Sequence, residues 1–104
     1  MVKVLVLRKQ QQIQEIEVSG HSGYDNHGRD LVCAGVSSIT VGMMNALSEM
    51  TEDTCNLVMQ DAYVKIHIKQ QNEVTQMLVK AMLIQLQTLQ ESYTSYITIK
   101  DQEV

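Results

Sequence analysis

The segment from Gly20 to Ser38 constrains the fold of this chain more than any other stretch. It reads GHSGYDNHGRDLVCAGVSS and holds four of the five glycines, two of the three histidines and one of the two cysteines. Two strand-like runs precede it, and an apolar helical pattern follows Asp30. The segment is therefore predicted to be a flexible loop that leads directly into the N-terminus of a helix.

The predicted helix starts after Asp30 and carries Cys33 in its first turn. Aspartate is a favoured N-cap, because its carboxylate accepts a backbone N–H of the first turn. Unpaired N–H groups at such a helix end favour a negative charge, so we expect them to stabilise a thiolate at Cys33. The helical assignment depends on one apolar stripe with three- or four-residue spacing, formed by Val32, Val36, Ile39, Met43, Leu47 and Met50.

His21 lies on the far side of the glycine-rich loop from Cys33. Histidine titrates near neutral pH, which suits a group that takes a proton from a thiol and returns it to a leaving amine. Glycines on both sides of His21 suit a mobile backbone or close approach to a ligand better than core packing. The residues thus predict that His21 and Cys33 act as base and nucleophile.

Two blocks of this segment resemble the signature of the bacterial ribosomal-processing cysteine proteases, the Prp family. They are Gly20-His21-Ser22-Gly23 and Gly28-Arg29-Asp30-Leu31-Val32-Cys33-Ala34-Gly35-Val36-Ser37. The family pattern is GHxG, a short variable loop, Gly-x-Asp-x-Val-Cys-Ala, and a serine four residues past the cysteine. The chain departs from it at Ser22 and Gly35, where alanine is frequent.

The resemblance implies a cysteine endopeptidase that removes the N-terminal extension of a large-subunit ribosomal protein, number twenty-seven, during ribosome assembly. In that chemistry Cys33 attacks a peptide carbonyl, His21 carries the proton, and N-terminal amides of the helix stabilise the oxyanion. The implied partners are the extension peptide of the precursor and a second copy of the chain. A cytoplasmic location and the absence of a cofactor are implied as well.

The other residues of the signature have roles that the sequence leaves open. Asp30 either caps the helix only or also orients His21 as a third catalytic member. Ser37 lies one helical turn after Cys33, and its hydroxyl either bonds near the site or bonds back to a carbonyl. The predicted substrate loop contains Gly20, Ser22, Gly23 and Gly28.

Other chemistries fit these residues less well. The set His21, Asp25, His27 and Cys33 has neither the C-x-x-C nor the H-x-x-x-H spacing of a closed zinc site, so no metal is predicted. The glycines before the helix lack the GK[ST] ending of a phosphate-binding loop. The remaining alternative is a non-enzymatic, ribosome-associated binding module with a redox-sensitive thiol.

Length and composition limit the remaining possibilities. A chain of 104 residues predicts a single peptidase domain over residues 1–104. Two cysteines without a secretory signal favour a reducing compartment, and Cys55 is expected to be a small buried hydrophobe in a strand. Twelve acidic against eight basic residues give no footprint for nucleic acid but suit a basic peptide. The apolar run at the start is too short for a membrane span.

The order of apolar patterns along the chain predicts ββαββαβ. The predicted strands are Val2–Leu7, Ile13–Val18, Cys55–Met59, Ala62–Lys69 and Tyr93–Lys100, and the second helix runs from a cap at Asn72 to about Gln90. This order predicts an α+β domain, with a mostly antiparallel sheet and both helices packed on one face.

The second helix carries two apolar stripes on nearly opposite faces. One contains Val74, Met77, Ala81 and Ile84, and the other contains Val79, Met82, Leu83 and Leu86. A surface helix needs only one such stripe to reach its own core. We therefore expect the other stripe, assigned to Leu83 and Leu86, to meet a partner subunit.

Overall fold

The computed structural model describes residues 1–26 and 29–104, and it has the predicted element order. The strands are β1 (Val2–Lys9), β2 (Gln12–Ser19), β3 (Cys55–Gln60), β4 (Tyr63–Ile68) and β5 (Ile97–Glu103). The helices are α1 (Leu31–Met50) and α2 (Glu73–Ser92). Inward residues of the strands and buried residues of both helices form one core cluster. The predicted α+β class, with both helices on one face of the sheet, is thus confirmed.

The sheet has the strand order β3-β4-β2-β1-β5. Three of its four neighbouring pairs are antiparallel, and only β1 and β5 run parallel. The parallel pair arises because α2 carries the chain back before β5 begins, and parallel neighbours need such a crossover. This arrangement puts the end of β2 and the start of β4 next to the start of α1, where the predicted site lies.

A bulge in the first hairpin turns an extra side chain towards the core. The turn uses Gln10 and Gln11, both in the left-handed region with φ of 52° and 70°. Beyond the turn, Leu7 pairs with Glu15 but Arg8 pairs with Ile13, so the register shifts by one residue. As a result Ile13 joins the core and is fully buried, which simple alternation along the strand does not predict.

The prediction for α2 had the two apolar stripes reversed. Leu83 and Leu86 belong to the core with Val79 and Met82, whereas the stripe of Val74, Met77 and Ile84 is exposed. Two buried polar residues at the start of α2 fix this rotation. The Thr75 hydroxyl donates to the Thr54 hydroxyl at 2.9 Å. The Gln76 side chain donates to the Ile13 carbonyl at 2.7 Å and accepts the Ile13 N–H at 3.1 Å.

Helix α1 is apolar because one side of it forms the middle of the core. Val32, Val36, Met43 and Leu47 are buried there, while Met50, at the end of the predicted stripe, is 60% exposed. By length and composition alone this helix could cross a membrane. Its apolar side is accounted for by packing on the sheet and on α2.

Candidate active site

Two glycines shape the loop that precedes α1. Gly20 still bonds to the sheet, since its N–H donates to the Ala62 carbonyl at 2.9 Å. Its φ is +92°, and a Cβ there would lie 2.5 Å from the Met1 carbonyl oxygen, so a side chain is excluded. Gly23 also has a positive φ, +71°. These turns bring the His21–Ser22 peptide over the first turn of α1.

Ser22 is the residue of the loop that contacts the thiol. It is only 5% exposed, and its backbone N–H donates to the Cys33 Sγ at 3.4 Å. The thiol in turn donates to the Ser22 Oγ at 3.6 Å. The Ser22 hydroxyl donates its own hydrogen to the carboxylate of Asp30. The sequence singled out Ser22 only as a member of the substrate loop.

Asp30 is the N-cap of α1 and the centre of a hydrogen-bond network. Its Oδ1 accepts the Cys33 N–H at 2.9 Å, and its Oδ2 accepts the Ser22 hydroxyl and the Tyr24 N–H. Burial raises the pKa of Asp30, but the hydrogen bonds from Ser22 and Cys33 outweigh it and lower the pKa from 3.8 to about 2. Within the described residues Asp30 makes no hydrogen bond to His21, so the observed contacts are those of a cap.

His21 and Cys33 line the same cavity. The cavity has a volume of about 570 Å³ and lies between α1 and the hairpin of β3 and β4. The His21 side chain is exposed, and no hydrogen bond joins its imidazole to the thiol in the part of the chain that the structure describes. The two predicted partners therefore line one cavity without a hydrogen bond between them.

The remaining predicted residues are Ser37 and two residues of the loop. Ser37 is exposed on the wall. Its carbonyl accepts the Thr40 hydroxyl at 3.3 Å, and its own hydroxyl has no hydrogen bond within residues 1–26 and 29–104. The loop residues His27 and Gly28 lie outside the described residues.

Cys55 stands apart from this site. It does not line the cavity and is half-buried at the start of β3. Burial raises the pKa of its thiol, against smaller opposing effects of the Thr54 hydrogen bond and the Lys69 charge. Among the described residues, no group of three or more His, Cys, Asp or Glu side chains is placed to hold a metal ion.

Two tyrosines near the C-terminus contact the loop, and no pattern in the sequence predicts this contact. Tyr93 and Tyr96 both pack edge-to-face on Tyr24. They were predicted to begin the last strand, but the strand starts at Ile97. The difference arises because the Tyr93 N–H bonds to the Gln90 carbonyl and the Tyr96 N–H to the Tyr93 carbonyl, which continues a turn beyond α2.

The sequence model of the family described as Cysteine protease Prp matches residues 1–98 of this chain. The chain belongs to the cysteine protease Prp family. The ribosomal processing cysteine protease Prp of Staphylococcus aureus (strain Mu50) is 29% identical over 90 residues, which cover 84% of this chain and 85% of the relative. The Prp of Bacillus subtilis (strain 168) is 27% identical over 88 residues, which cover 78% and 79% of the two chains.

Solved structures show the same fold. The crystal structure of an essential ribosomal processing protease Prp from S. aureus, in complex with a covalently linked product peptide, has a TM-score of 0.92 and 25% identity. The match covers 98% of this chain and 100% of that one. The family predicted from two short sequence blocks, and the cysteine protease class that goes with it, are confirmed. The Prp fold here presents a thiol at a helix N-terminus, an imidazole on the same cavity, and a fixed N–H beside the sulfur.

Proposed function

We propose that this chain is the endopeptidase that removes the N-terminal extension of the large-subunit ribosomal protein numbered twenty-seven during ribosome assembly. The observation that carries the proposal is the cavity shared by His21 and Cys33, with Cys33 in the first turn of α1. The names of the S. aureus and B. subtilis relatives support a ribosomal substrate. The covalently linked product peptide in the S. aureus structure supports peptide chemistry through a covalent bond.

The proposed reaction uses a Cys–His dyad. The imidazole of His21 takes the thiol proton, and the Cys33 Sγ forms a bond to the carbonyl carbon of the scissile peptide. The C–N bond then breaks, and His21 returns the proton to the leaving amine. Water hydrolyses the thioester and frees Cys33. Because no hydrogen bond joins the imidazole to the thiol in this structure, the proposed reaction has His21 move towards Cys33 when the peptide binds.

The charge of the cavity supports a basic peptide as substrate. Asp25, Asp30 and Asp61 all contribute to its lining. The whole chain has a net charge of −4, so the field around the cavity favours cationic segments. Val41 and Met59, which are 39% and 60% exposed, add apolar surface on opposite walls. Apolar walls with a few carboxylates suit an extended peptide that carries both basic and apolar side chains.

The proposal includes a homodimer in the cytoplasm. The exposed stripe of Val74, Met77 and Ile84 supports self-association, because a solvent-facing apolar stripe on a regular helix is typical of an interface. Both cysteines are free thiols, which is compatible with a reducing compartment.

The proposal is tested by incubation of the purified protein with the ribosomal protein precursor, followed by mass spectrometry of the products. We expect the unmodified protein and Cys55→Ala to release the N-terminal extension, and Cys33→Ala to release none. Cleavage by Cys33→Ala would contradict the mechanism. If Cys33 is alkylated readily but no precursor is cut, the non-enzymatic binding module is the better description.

A further inference from the structure

The amides of α1 that lie nearest to the sulfur are already engaged. The Cys33 N–H donates to the Asp30 Oδ1 at 2.9 Å. The Ala34 N–H donates to the Asp30 carbonyl at 3.0 Å and makes the first hydrogen bond of the helix. Use of either amide for an oxyanion would break the cap or the first helical turn. The sequence had predicted that helix amides supply the oxyanion donors.

Among the described residues, a backbone N–H of the loop also reaches the sulfur. The Ser22 N–H lies 3.4 Å from the Cys33 Sγ and belongs to the loop. In a tetrahedral adduct the oxyanion sits on the carbon that is bonded to this sulfur. A donor that is aimed at the sulfur is therefore within reach of the oxyanion after a small shift of the hydrogen bond.

The peptide group that carries this N–H is held in place before any substrate arrives. The Ser22 hydroxyl donates to the Asp30 carboxylate, and the Tyr24 N–H donates to the Ser22 Oγ at 3.1 Å. On the N-terminal side of this peptide group, the Gly20 N–H donates a hydrogen bond to the Ala62 carbonyl next to the sheet. A donor fixed in this way needs no reorganisation when charge develops, and such donors are the effective ones in acyl transfer.

We infer that the backbone N–H of Ser22 is an oxyanion donor of this protease. The inference rests on the proposed function, in which Cys33 is the nucleophile. As Sγ bonds to the carbonyl carbon, the electron pair of the C=O double bond moves to the oxygen, and the Ser22 N–H passes from the sulfur to that oxygen. When the C–N bond breaks, the double bond re-forms, and the leaving nitrogen takes its proton from His21.

Replacement of this one N–H by an oxygen atom tests the inference. Residues 1–32 are synthesised as a thioester peptide with an ester between His21 and Ser22, then ligated to a fragment that begins at Cys33. The junction is native, so the product is the full chain without the Ser22 N–H. A matched chain has its ester between Ser22 and Gly23 and lacks the Gly23 N–H, which has no hydrogen bond in the described part of the chain. A synthetic chain with amides throughout is the reference.

We expect the Ser22 ester to lower kcat for the precursor by about 10²–10³-fold, as for loss of one oxyanion donor, with little change in KM. Inhibition by a peptide aldehyde, which forms a tetrahedral adduct on the thiol, should weaken by a similar factor. The Gly23 ester should lose clearly less than the Ser22 ester in both measurements, because it leaves the N–H that donates to the Cys33 Sγ in place. If Ser22 had only a structural role, the Ser22 ester would not lower kcat and the affinity for the aldehyde by similar factors while KM stays nearly constant.

Two recombinant variants cover the case in which the ester chain does not fold. Ser22→Pro lacks the same N–H, while Ser22→Ala keeps it and loses only the hydroxyl. We expect Ser22→Pro to lose far more activity and aldehyde affinity than Ser22→Ala. Equal activity of the two ester chains, or full activity of folded Ser22→Pro, would overturn the inference and leave the protease proposal intact. Failure of the all-amide chain to cleave the precursor would instead overturn the proposed function.

Discussion

The ring of Tyr24 packs edge-to-face on the ring of Tyr96, with the two centroids 5.1 Å apart. Tyr93 contacts Tyr24 in the same way at 5.4 Å. Tyr24 belongs to the loop that carries His21, whereas the other two rings lie between α2 and β5. Aromatic pairs of this geometry contribute about 0.5–1.5 kcal/mol beyond the area they bury. The cluster therefore ties the loop that carries His21 to the turn between α2 and β5.

Loss of the Tyr24 ring should loosen the loop without unfolding the domain. In Tyr24→Ala we expect faster amide hydrogen exchange at Ser22 and Asn26, and slower cleavage, because the His21–Ser22 peptide is less well fixed. Tyr24→Phe keeps both ring contacts and should exchange like the unmodified protein. Hydrogen exchange followed by NMR is the measurement. Unchanged exchange in Tyr24→Ala would show that the hydrogen bonds to Asp30 suffice to hold the loop.

The low pKa of Asp30 predicts a particular acid dependence of stability. Its pKa is about 2 in the folded chain against an ordinary value of 3.8, so the unfolded chain binds the proton more readily. The ionised Asp30 carboxylate therefore contributes its full stabilisation at a pH above its ordinary pKa of 3.8. This contribution is lost as the pH falls from 3.8 towards about 2. We expect Asp30→Asn to remove this part of the acid dependence. Ser22→Ala should raise the pKa of Asp30, so that less stability is lost and the loss is complete at a higher pH.

Urea unfolding across the acid range measures this dependence, and an NMR titration of the Asp30 carboxyl follows it directly. Ser37→Ala is the control, because Ser37 is also a serine beside the cavity but makes no hydrogen bond to Asp30 within the described residues. If Ser37→Ala shifts the titration as much as Ser22→Ala does, the assigned hydrogen bond is not its cause.

Most of the fold can be predicted from patterns that lie within single helices and strands. Asp30 and Asn72 cap their helices, and β4 alternates as its sequence indicates. Such features depend on residues close in sequence, whose geometry is set by the period of a helix or strand. The position of Cys33 at the start of α1 could be predicted for the same reason.

The features that the sequence did not reveal all depend on contacts between distant residues. The rotation of α2 is fixed by Thr54 and Ile13, which lie far from Thr75 and Gln76 in the sequence. Ser22 reaches Cys33 only because Gly20 and Gly23 adopt positive φ angles. The periodicity of the sequence does not show which apolar stripe of α2 faces the core. It also does not show where the Ser22 N–H points.

The close approach of the two helices at Gly35 can be tested by a pair of substitutions. A Cβ at Gly35 would lie 3.1 Å from a methyl carbon of Leu89 in α2, whereas a Cβ at Gly42 would meet nothing within 4 Å. Gly42→Ala should raise the free energy of unfolding by about 0.5–1 kcal/mol through helix propensity. Gly35→Ala should gain less, because Leu89 has to shift. Equal gains in urea unfolding would mean that Leu89 moves at no cost.

The two stripes of α2 should respond differently to polar substitution. In Met77→Gln with Ile84→Gln, both side chains are more than 60% exposed, so the fold should persist while a dimer dissociates. In Leu83→Gln with Leu86→Gln, both side chains are buried, and stability should fall by more than about 2 kcal/mol. Sedimentation velocity and urea unfolding of both variants separate the two effects. A folded Met77/Ile84 variant that stays dimeric would place the interface elsewhere.

The contribution of His21 is best measured on the thiol itself. His21→Ala should lower turnover by at least about 10²–10⁴-fold through loss of the general base.

Alkylation by iodoacetamide is followed in a Cys55→Ala background, because Cys55, whose thiol has a raised pKa, would otherwise react as a slower second target. The helix end and the Ser22 N–H still favour a thiolate at Cys33, so alkylation near neutral pH should persist in His21→Ala. A complete loss of neutral-pH alkylation in His21→Ala would make the imidazole the main activator of the thiol, and unchanged cleavage by that variant would remove His21 from the mechanism.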